Sequence, residues 1–294
     1  MSWDEYIRAK SVDEALDNLD RLHGAGRVLA GGTDLILQLQ AGQKKAHCLL
    51  DVSSLSSLCG ITHENGRISI GAATTHSQIG NSSLLFTNAP LLSEACSQIG
   101  SPQIRNIGTV GGNIVNAQPA ADSVIGLLAL DATCTIVSKD GVRNMPVSTL
   151  FSGPGISAVD STQEILTEIS FDAASSSAGS AFYRLSRRKA GSLPVLNCAV
   201  YLHYNNEENT ITRLRIAMGP VAPTPIRLYE TERVFTSDTF SMRLMKEALN
   251  KVFDEVNPRS SLRGGREYRN EMAKVLVKRA VLKALQIAGW KDSE

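Results

Sequence analysis

Apolar residues recur at helical spacing in some early stretches of the chain and at alternate positions in others. A capping box formed by Ser11 and Glu14 opens a helical pattern, and Gly24 marks its end. Residues 67–72 instead alternate between apolar and polar, which predicts a strand. Further strands are predicted at 27–30, 48–52, 133–137 and 165–171, and further helices at 34–40 and 90–99. We therefore expect an α+β unit over roughly the first 170 residues.

The composition changes at residues 172–180, where the sequence DAASSSAGS is small and polar and resembles a flexible linker. Beyond it, strands are predicted at 181–185, 195–204 and 211–218, and amphipathic helices at 242–256 and 267–287. The NNEEN segment at residues 205–209 is a natural hairpin turn between two of these strands. The pattern predicts a larger domain at residues 1–175 and a smaller α+β domain at residues 181–290.

Composition and charge narrow the class of protein. The chain has 294 residues, 43% of them hydrophobic, which is enough for two modest cores. Its formal net charge of +1 argues against nucleic acid as the main partner, because phosphate binding needs a clear excess of Lys and Arg. Five scattered cysteines without a CxxC pair suit a reducing cytoplasm and make a poor cradle for zinc or an iron–sulfur cluster. The longest apolar stretch, at residues 124–130, is too short to span a bilayer.

Two glycine turns carry the candidate chemistry. The first comprises Val28, Leu29, Ala30, Gly31, Gly32, Thr33, Asp34 and Leu35, and the second comprises Thr109, Val110, Gly111, Gly112 and Asn113. Adjacent glycines let a backbone approach a ligand closely, and free N–H groups at a turn bind anions. The two turns could together hold the two phosphates of a dinucleotide. Neither turn matches the Rossmann or the Walker pattern, and either one alone could equally be an ordinary tight turn.

The sequence AGGTDLI at residues 30–36, together with QIRNIGTVGGNIVNAQPAAD at residues 103–122, resembles the paired flavin signatures of the xanthine dehydrogenase family. The resemblance extends nearly end to end. It implies a two-subdomain FAD-binding fold of the vanillyl-alcohol-oxidase (PCMH) type, followed by a C-terminal α+β domain like that of the CO dehydrogenase flavoprotein. It also implies noncovalent FAD, because the first signature contains no His or Cys that could be attached to it.

The resemblance assigns roles to individual residues. Backbone amides of both signatures would wrap the FAD pyrophosphate, with Gly31, Gly32 and Thr33 central in the first. Asp122 would contact the ribityl or adenosine side, or else cap a helix N-terminus, or both.

Other assignments concern the flavin ring. The backbone at Leu166 would contact the ring or the adenine. Gly100 stands where fused relatives carry an aromatic residue over the ring, so another side chain, such as Tyr183, would have to cover it. Tyr183 or Arg184 also matches a position that is often Lys in the family. His76 lies in a loop that resembles a flavin-proximal one, but a local cap or a surface position is the preferred interpretation over a general base.

As a family member, the chain would be an electron-transfer subunit. A molybdopterin-binding large subunit oxidises the substrate, a 2Fe-2S small subunit relays the electrons, and FAD passes them to NAD or another acceptor. The resemblance leaves the catalytic residues unassigned, and no metal site is predicted. The basic run Arg187, Arg188 and Lys189 would attract a nicotinamide dinucleotide, or would simply be solvated.

Two alternatives to the xanthine dehydrogenase type stay open. The first is the medium subunit of a CO, nicotinate or other N-heterocycle dehydrogenase. The second, from another class, is a non-redox nucleotide-binding sensor or assembly module.

Overall fold

The computed structural model describes residues 3–175, 177–188 and 191–291. The chain begins with a small subdomain built on a parallel sheet in the order β1-β3-β2. Its elements are β1 (Glu5–Arg8), α1 (Val12–Arg21), β2 (Gly26–Leu29), α2 (Leu35–Gln40) and β3 (Cys48–Asp51). All four residues of the central strand β3 are buried, as expected for a parallel strand covered on both faces.

The second subdomain is an antiparallel sheet in the order β4-β5-β10-β6-β7, covered by a cluster of short helices. Its strands are β4 (Ile61–Glu64), β5 (Arg67–Gly71), β6 (Thr133–Ser138), β7 (Gly141–Pro146), the small pair β8 (Phe151–Gly153) and β9 (Ile156–Ser157), and β10 (Ile165–Asp172). Its helices are α3 (His76–Gly80), α4 (Ser83–Asn88), α5 (Pro90–Ser97), α6 (Pro102–Ile107), α7 (Val110–Val115) and α8 (Asp122–Ala129), with 3₁₀ turns at Ser56–Leu58 and Val147–Thr149.

The C-terminal part is a four-stranded antiparallel sheet in chain order with three helices. Its elements are β11 (Ala178–Leu185), β12 (Leu196–Asn205), β13 (Thr210–Gly219), β14 (Ile226–Arg227), α9 (Tyr229–Phe235), α10 (Met242–Glu255) and α11 (Arg266–Ile287). The predicted hairpin joins β12 to β13, and the Asn205 side chain accepts a hydrogen bond from the Glu207 amide at 3.0 Å. No helix in the described part of the chain is long and apolar enough to cross a membrane.

The flexible linker predicted at residues 172–180 is much shorter than expected. β10 includes Asp172, and β11 already begins at Ala178. Between them, the Ala173 amide donates to the Gly66 carbonyl and the Ala174 amide to the Asn88 carbonyl, each at 2.9 Å. Ser176 lies outside the described residues. Backbone hydrogen bonds therefore fix the conformation of a segment whose small polar residues predicted a flexible linker.

The two predicted domains share a hydrophobic core through the C-terminal sheet. One face of this sheet contributes Phe182, Ala199, Tyr201 and Ala217 to the core of the second subdomain, where α5 and α8 pack on it. The opposite face packs on α11 and belongs to the C-terminal core. Because strand residues alternate between faces, one sheet serves both cores.

Truncating Phe182 to alanine should destabilise both parts together. The side chain is buried in the shared core, so its loss should lower the free energy of unfolding by about 3–5 kcal/mol. Trp3 packs in the first subdomain, whose core also includes Ile165 of β10, and Trp290 packs in the C-terminal core. The chain has only 2 tryptophans. Urea unfolding of the two single-tryptophan proteins (Trp290→Phe and Trp3→Phe) should show the same shift at both reporters.

Phe86→Ala is the matched control, since that phenylalanine is exposed and its loss should cost less than about 0.5 kcal/mol. Two separate transitions, with only one of them moved by Phe182→Ala, would contradict the shared core.

Candidate functional site

Two adjoining pockets form one continuous cleft through the molecule. The inner pocket, about 150 Å³, lies between the parallel sheet and the second subdomain. The outer pocket, about 630 Å³, lies between the second subdomain and the C-terminal part. The residues that line both pockets are Asp34, Ile99, Ile104, Asn113 and Asn116. The two pockets therefore share lining residues and together border all three parts of the chain.

The first glycine turn presents free backbone amides to the inner pocket. All of residues 28–35 line this pocket. The N–H groups of residues 31–34 donate no hydrogen bond to any residue in the described part of the chain. Gly32 has φ +67°, a left-handed conformation that suits glycine. Successive unpaired amides in such a turn form a concave binding site for an anion such as a phosphate.

The second turn works differently from the prediction made from its sequence, because most of its amides are already engaged. The Val110 amide donates to the Thr74 carbonyl (3.0 Å), Gly111 to the Ala72 carbonyl (2.9 Å), Gly112 to the Thr109 Oγ1 atom (3.1 Å) and Asn113 to the Thr109 carbonyl (3.0 Å). The expectation that these four amides wrap a pyrophosphate is corrected accordingly. The Val110 and Gly111 amides hold the start of α7 to the segment that follows β5, and the Gly112 and Asn113 amides are capped by Thr109. The turn therefore offers the pocket its close backbone and its side chains.

The two turns touch each other, and Gly31 makes this contact possible. A Cβ atom at Gly31 would lie 2.2 Å from the Ile107 carbonyl oxygen and 2.9 Å from the Gly108 Cα atom. A Cβ atom at Gly108 would in turn lie 3.6 Å from the Thr33 Oγ1 atom. Gly31 is thus needed for packing between the two subdomains, and this packing sets the position of the free amides.

Most of the other predicted site residues lie in the cleft. Leu166 on β10 lines the inner pocket, and Gly100 and Asp122 line the outer one. Val110 does not, because its side chain is fully buried in the core behind the second turn.

Tyr183 and Arg184 are separated by the alternation of β11. Tyr183 packs against the C-terminal core on the far face, whereas Arg184 lines the outer pocket. Tyr183 is therefore not placed to cover a ring in the cleft, and the sequence could not distinguish the two neighbours.

Asp122 is the centre of a buried polar cluster between the domains. Its carboxylate accepts hydrogen bonds from Arg184 Nε at 3.1 Å and from Asn197 Nδ2 at 2.7 Å. Burial raises the pKa of Asp122 to about 6, against the opposing effects of Arg184 and Asn197, so the carboxylate is still mostly ionised at neutral pH. The alternative role as an N-cap is wrong, since Ala121 occupies the cap position of α8. Asp122 and Arg184 instead join α8 to β11 at the cleft wall.

His76 is buried rather than a surface residue or a cap. It is the first residue of α3, whose N-cap is Thr75, and it lines the inner pocket. Its Nδ1 atom has no hydrogen-bond partner among the described residues. Burial, with a smaller effect from Arg105, lowers the pKa of His76 to about 4, so the ring is neutral at pH 7. A neutral ring with an unpaired nitrogen suits a polar contact with a ligand.

A set of arginines on the C-terminal wall of the outer pocket was not predicted from the sequence. Arg259, Arg263 and Arg269 line it, and all three come from the segment PRSSLRGGREYR before and within the start of α11. The sequence feature that marks these arginines is a basic stretch rich in glycine and serine. The periodicity of apolar residues does not predict that such a stretch lies beside site residues about 150 positions away in the chain.

The fold and the cleft together define an α+β protein whose cleft between subdomains suits a phosphorylated cofactor. A family model described as the FAD binding domain in molybdopterin dehydrogenase matches residues 2–171, and one described as the CO dehydrogenase flavoprotein C-terminal domain matches residues 181–284. The chain belongs to this family of FAD-binding molybdopterin dehydrogenase subunits, and FAD is its cofactor. The expected family, fold and cofactor are confirmed.

Relatives match along nearly the whole chain. The xanthine dehydrogenase FAD-binding subunit of Escherichia coli O157:H7 is 34% identical over 97% of this chain and 97% of that protein. The carbon monoxide dehydrogenase medium chain of Hydrogenophaga pseudoflava is 31% identical over 94% of this chain and 95% of that one. A solved structure of carbon monoxide dehydrogenase from the same organism superimposes with a TM-score of 0.92 at 30% identity, covering 97% of this chain and 98% of the other.

Replacing Gly32 by alanine should weaken FAD binding. A Cβ at φ +67° strains the turn and would press on Leu29 and Ile36 at 3.1 and 3.2 Å, so the amides should turn away from the pocket. We expect the Kd for FAD to rise on the order of tenfold, measured by titrating apoprotein.

Gly42→Ala is the control, because Gly42 has the same φ of +67° and a Cβ added there would meet no atom within 4 Å. Both variants should lose about 1 kcal/mol of stability, but only Gly32→Ala should lose FAD affinity. Equal affinities in the two variants would remove the first turn from the site.

His76 should make the folded protein sensitive to acid. Its pKa of about 4 lies below the ordinary value of 6.5, so the unfolded chain takes up the proton first as the pH falls. Stability from this residue is therefore complete above about pH 6.5 and is lost toward pH 4. His76→Asn should flatten the pH dependence of the free energy of unfolding by about 2 kcal/mol between about pH 7 and pH 5. Identical slopes for FAD-loaded wild type and variant in urea titrations would refute a buried neutral His76.

Proposed function

We propose that this chain is the flavin subunit of a three-component molybdenum hydroxylase of the xanthine dehydrogenase type. It would take electrons from a 2Fe-2S small subunit, which receives them from a molybdopterin-binding large subunit, and deliver them to NAD or another acceptor. The observation that supports this proposal most is the form of the cleft, which joins an anion-binding turn to a wide pocket between domains.

The residues of the cleft fit FAD in a defined orientation. The free amides of residues 31–34 would hold the pyrophosphate. The apolar walls around Leu166 and Val28 suit one of the two flat aromatic groups of FAD. The larger outer pocket suits the other aromatic group. Bound FAD supplies the ability to accept and release electrons. Attachment would be noncovalent, since residues 28–35 contain no His or Cys.

The inner mouth of the cleft carries a surface that suits a partner subunit. None of the six residues of α6 is buried. Its Ile107 side chain is exposed next to the two turns, whereas the exposed Ile104 side chain lines both pockets of the cleft. Exposed apolar side chains next to a redox cofactor are typical of a permanent subunit contact. We assign this surface to the small subunit, because electrons must arrive close to the flavin.

Xanthine is preferred as the substrate of the complex over CO or nicotinate because of the 34% identity to a xanthine dehydrogenase subunit, against 31% and 29% for the relatives named for those substrates.

The membership in a family of oxidoreductase subunits leaves the alternative of a non-redox sensor without support. The free thiols of all five cysteines favour a reducing compartment such as the cytoplasm.

The proposal predicts different reductants for the isolated and the assembled chain. Under anaerobic conditions, NADH should bleach the flavin of the isolated FAD-loaded chain. Xanthine should bleach it only after co-expression with the two partner subunits. Ile107→Glu should abolish copurification and xanthine-dependent bleaching while leaving NADH-dependent bleaching intact, because a buried unpaired charge opposes docking.

Phe86→Glu is the control, since Phe86 is also exposed but lies on α4. Normal assembly of the Ile107→Glu protein would reject the assigned docking surface. Bleaching by nicotinate or CO in place of xanthine would reassign the substrate.

A further inference from the structure

The C-terminal wall of the outer pocket contains a buried cation without an anionic partner. Arg269 is only 3% exposed. Its guanidinium donates to the Pro220 carbonyl at 3.3 Å and to Ser261 Oγ at 2.7 Å. Its Nε atom has no partner, and no carboxylate pairs with it, among residues 3–175, 177–188 and 191–291. Buried charges are normally paired, so this guanidinium indicates a missing anion.

The surroundings of Arg269 increase the positive potential. It lies in the first turns of α11, a helix of 22 residues whose N-cap Gly265 provides no side-chain acceptor. The N-terminus of a long helix carries a partial positive charge, so a cation there is unfavourable unless an anion is added. The acid of this turn, Glu267, is exposed and forms no ion pair with a described residue. Burial and the neighbouring Arg263 and Arg259 lower the pKa of Arg269, as expected for a cation surrounded by positive charge.

Further arginines continue from Arg269 toward the surface. Arg259 and Arg263 line the same pocket, are exposed, and form no side-chain hydrogen bond with any residue in the described part of the chain. Arg263 also lines an adjoining surface pocket of about 390 Å³ together with Arg187 and Arg188. Lys189, the third residue of that basic run, lies outside the described residues.

Among the described residues, the acids that line the outer pocket form no ion pair with this row. They are Asp34 and Asp122, and the carboxylate of Asp122 is already held by Arg184 and Asn197.

We propose that Arg269, Arg263 and Arg259 form a binding site for the phosphates of a nucleoside diphosphate, the part that a nicotinamide dinucleotide shares with free ADP. This rests on the proposed function, in which such a dinucleotide takes electrons from the flavin. The FAD pyrophosphate would have its own site at the free amides of residues 31–34, which line the inner pocket. A flavin ring would carry at most one negative charge there, whereas this row of guanidiniums reaches the solvent and suits a multiply charged ligand that diffuses in.

The test uses the FAD-loaded chain and ADP as the probe, with calorimetric titration as the readout. Arg259→Gln combined with Arg263→Gln should raise the Kd for ADP, and the KM for flavin reduction by NADH, on the order of tenfold or more. Its FAD content should be unchanged. The control removes the same charge elsewhere, through Arg243→Gln combined with Lys246→Gln on α10, where both side chains are exposed. That control should bind ADP like the wild type.

Arg269→Met separates a ligand site from a structural role. Without ligand, this variant should be as stable as the wild type or more stable, because an unpaired buried charge is removed. The rise in Tm that ADP causes in the wild type should disappear. A lower Tm without ligand, together with an undiminished ADP effect, would overturn the proposal in favour of a structural arginine.

The remaining outcomes distinguish the site from the proposed function. Unchanged ADP binding in the Arg259/Arg263 double variant, or a loss of its FAD, would overturn the site. If ADP binding depends on the arginines but NADH fails to reduce the wild-type flavin, the phosphate site stands and NAD is not the acceptor. If NADH reduces the flavin with the same KM in wild type and double variant, the acceptor stands and the site is wrong.

Discussion

The contact of Gly31 with the backbone of Ile107 and Gly108 is the constraint on which the cleft depends. A Cβ added at Gly31 would overlap the Ile107 carbonyl oxygen at 2.2 Å, so no other residue allows the first subdomain this close to the second. The close packing of Gly31 on Ile107 and Gly108 places the turn after β2 beside the segment before α7. The free amides of the first turn then face a wall made by the second, and a binding cleft exists at the junction of two separate sheets.

The two glycine turns look alike in sequence but differ in function. The amides of residues 31–34 in the first are unpaired, whereas in the second the Val110 and Gly111 amides hold α7 to residues 72–74 and the next two amides bond to Thr109. Gly111 is needed because its Cβ would lie 2.6 Å from the Ala72 side chain, so this glycine serves packing rather than ligand approach. The free amides are therefore a property of one turn, and the other turn contributes the facing wall of the pocket.

The elements that depend on local sequence pattern were predicted correctly. The predictions failed where contacts between residues far apart in the chain determine the structure. Nearly all the predicted strands and helices are present because their apolar periods match the faces that the core covers. The linker was wrong because β10 extends to Asp172 and β11 starts early, and these pairings involve residues far away in the chain. Tyr183 and Arg184 could not be separated because the register of β11 decides which of them faces the cleft. The burial of Arg269 has no local signature, since an arginine in a basic Gly/Ser stretch usually lies in solvent.

The net charge of +1 does not reveal how positive potential is distributed over the two walls of the cleft, and this distribution is more relevant to ligand binding than the total charge. On the N-terminal wall of the cleft, the positive potential comes from backbone dipoles at residues 31–34, which need no charged side chain. On the C-terminal wall it comes from full charges on Arg259, Arg263 and Arg269. Dipoles fixed by packing suit a cofactor that stays bound, because they are preorganised and little affected by salt. Exposed guanidiniums attract over longer distances and are screened by salt, which suits a ligand that must arrive and leave with each turnover. The two walls thus differ in the physical origin of their potential, as expected if one of them holds a resident cofactor and the other an exchanging partner.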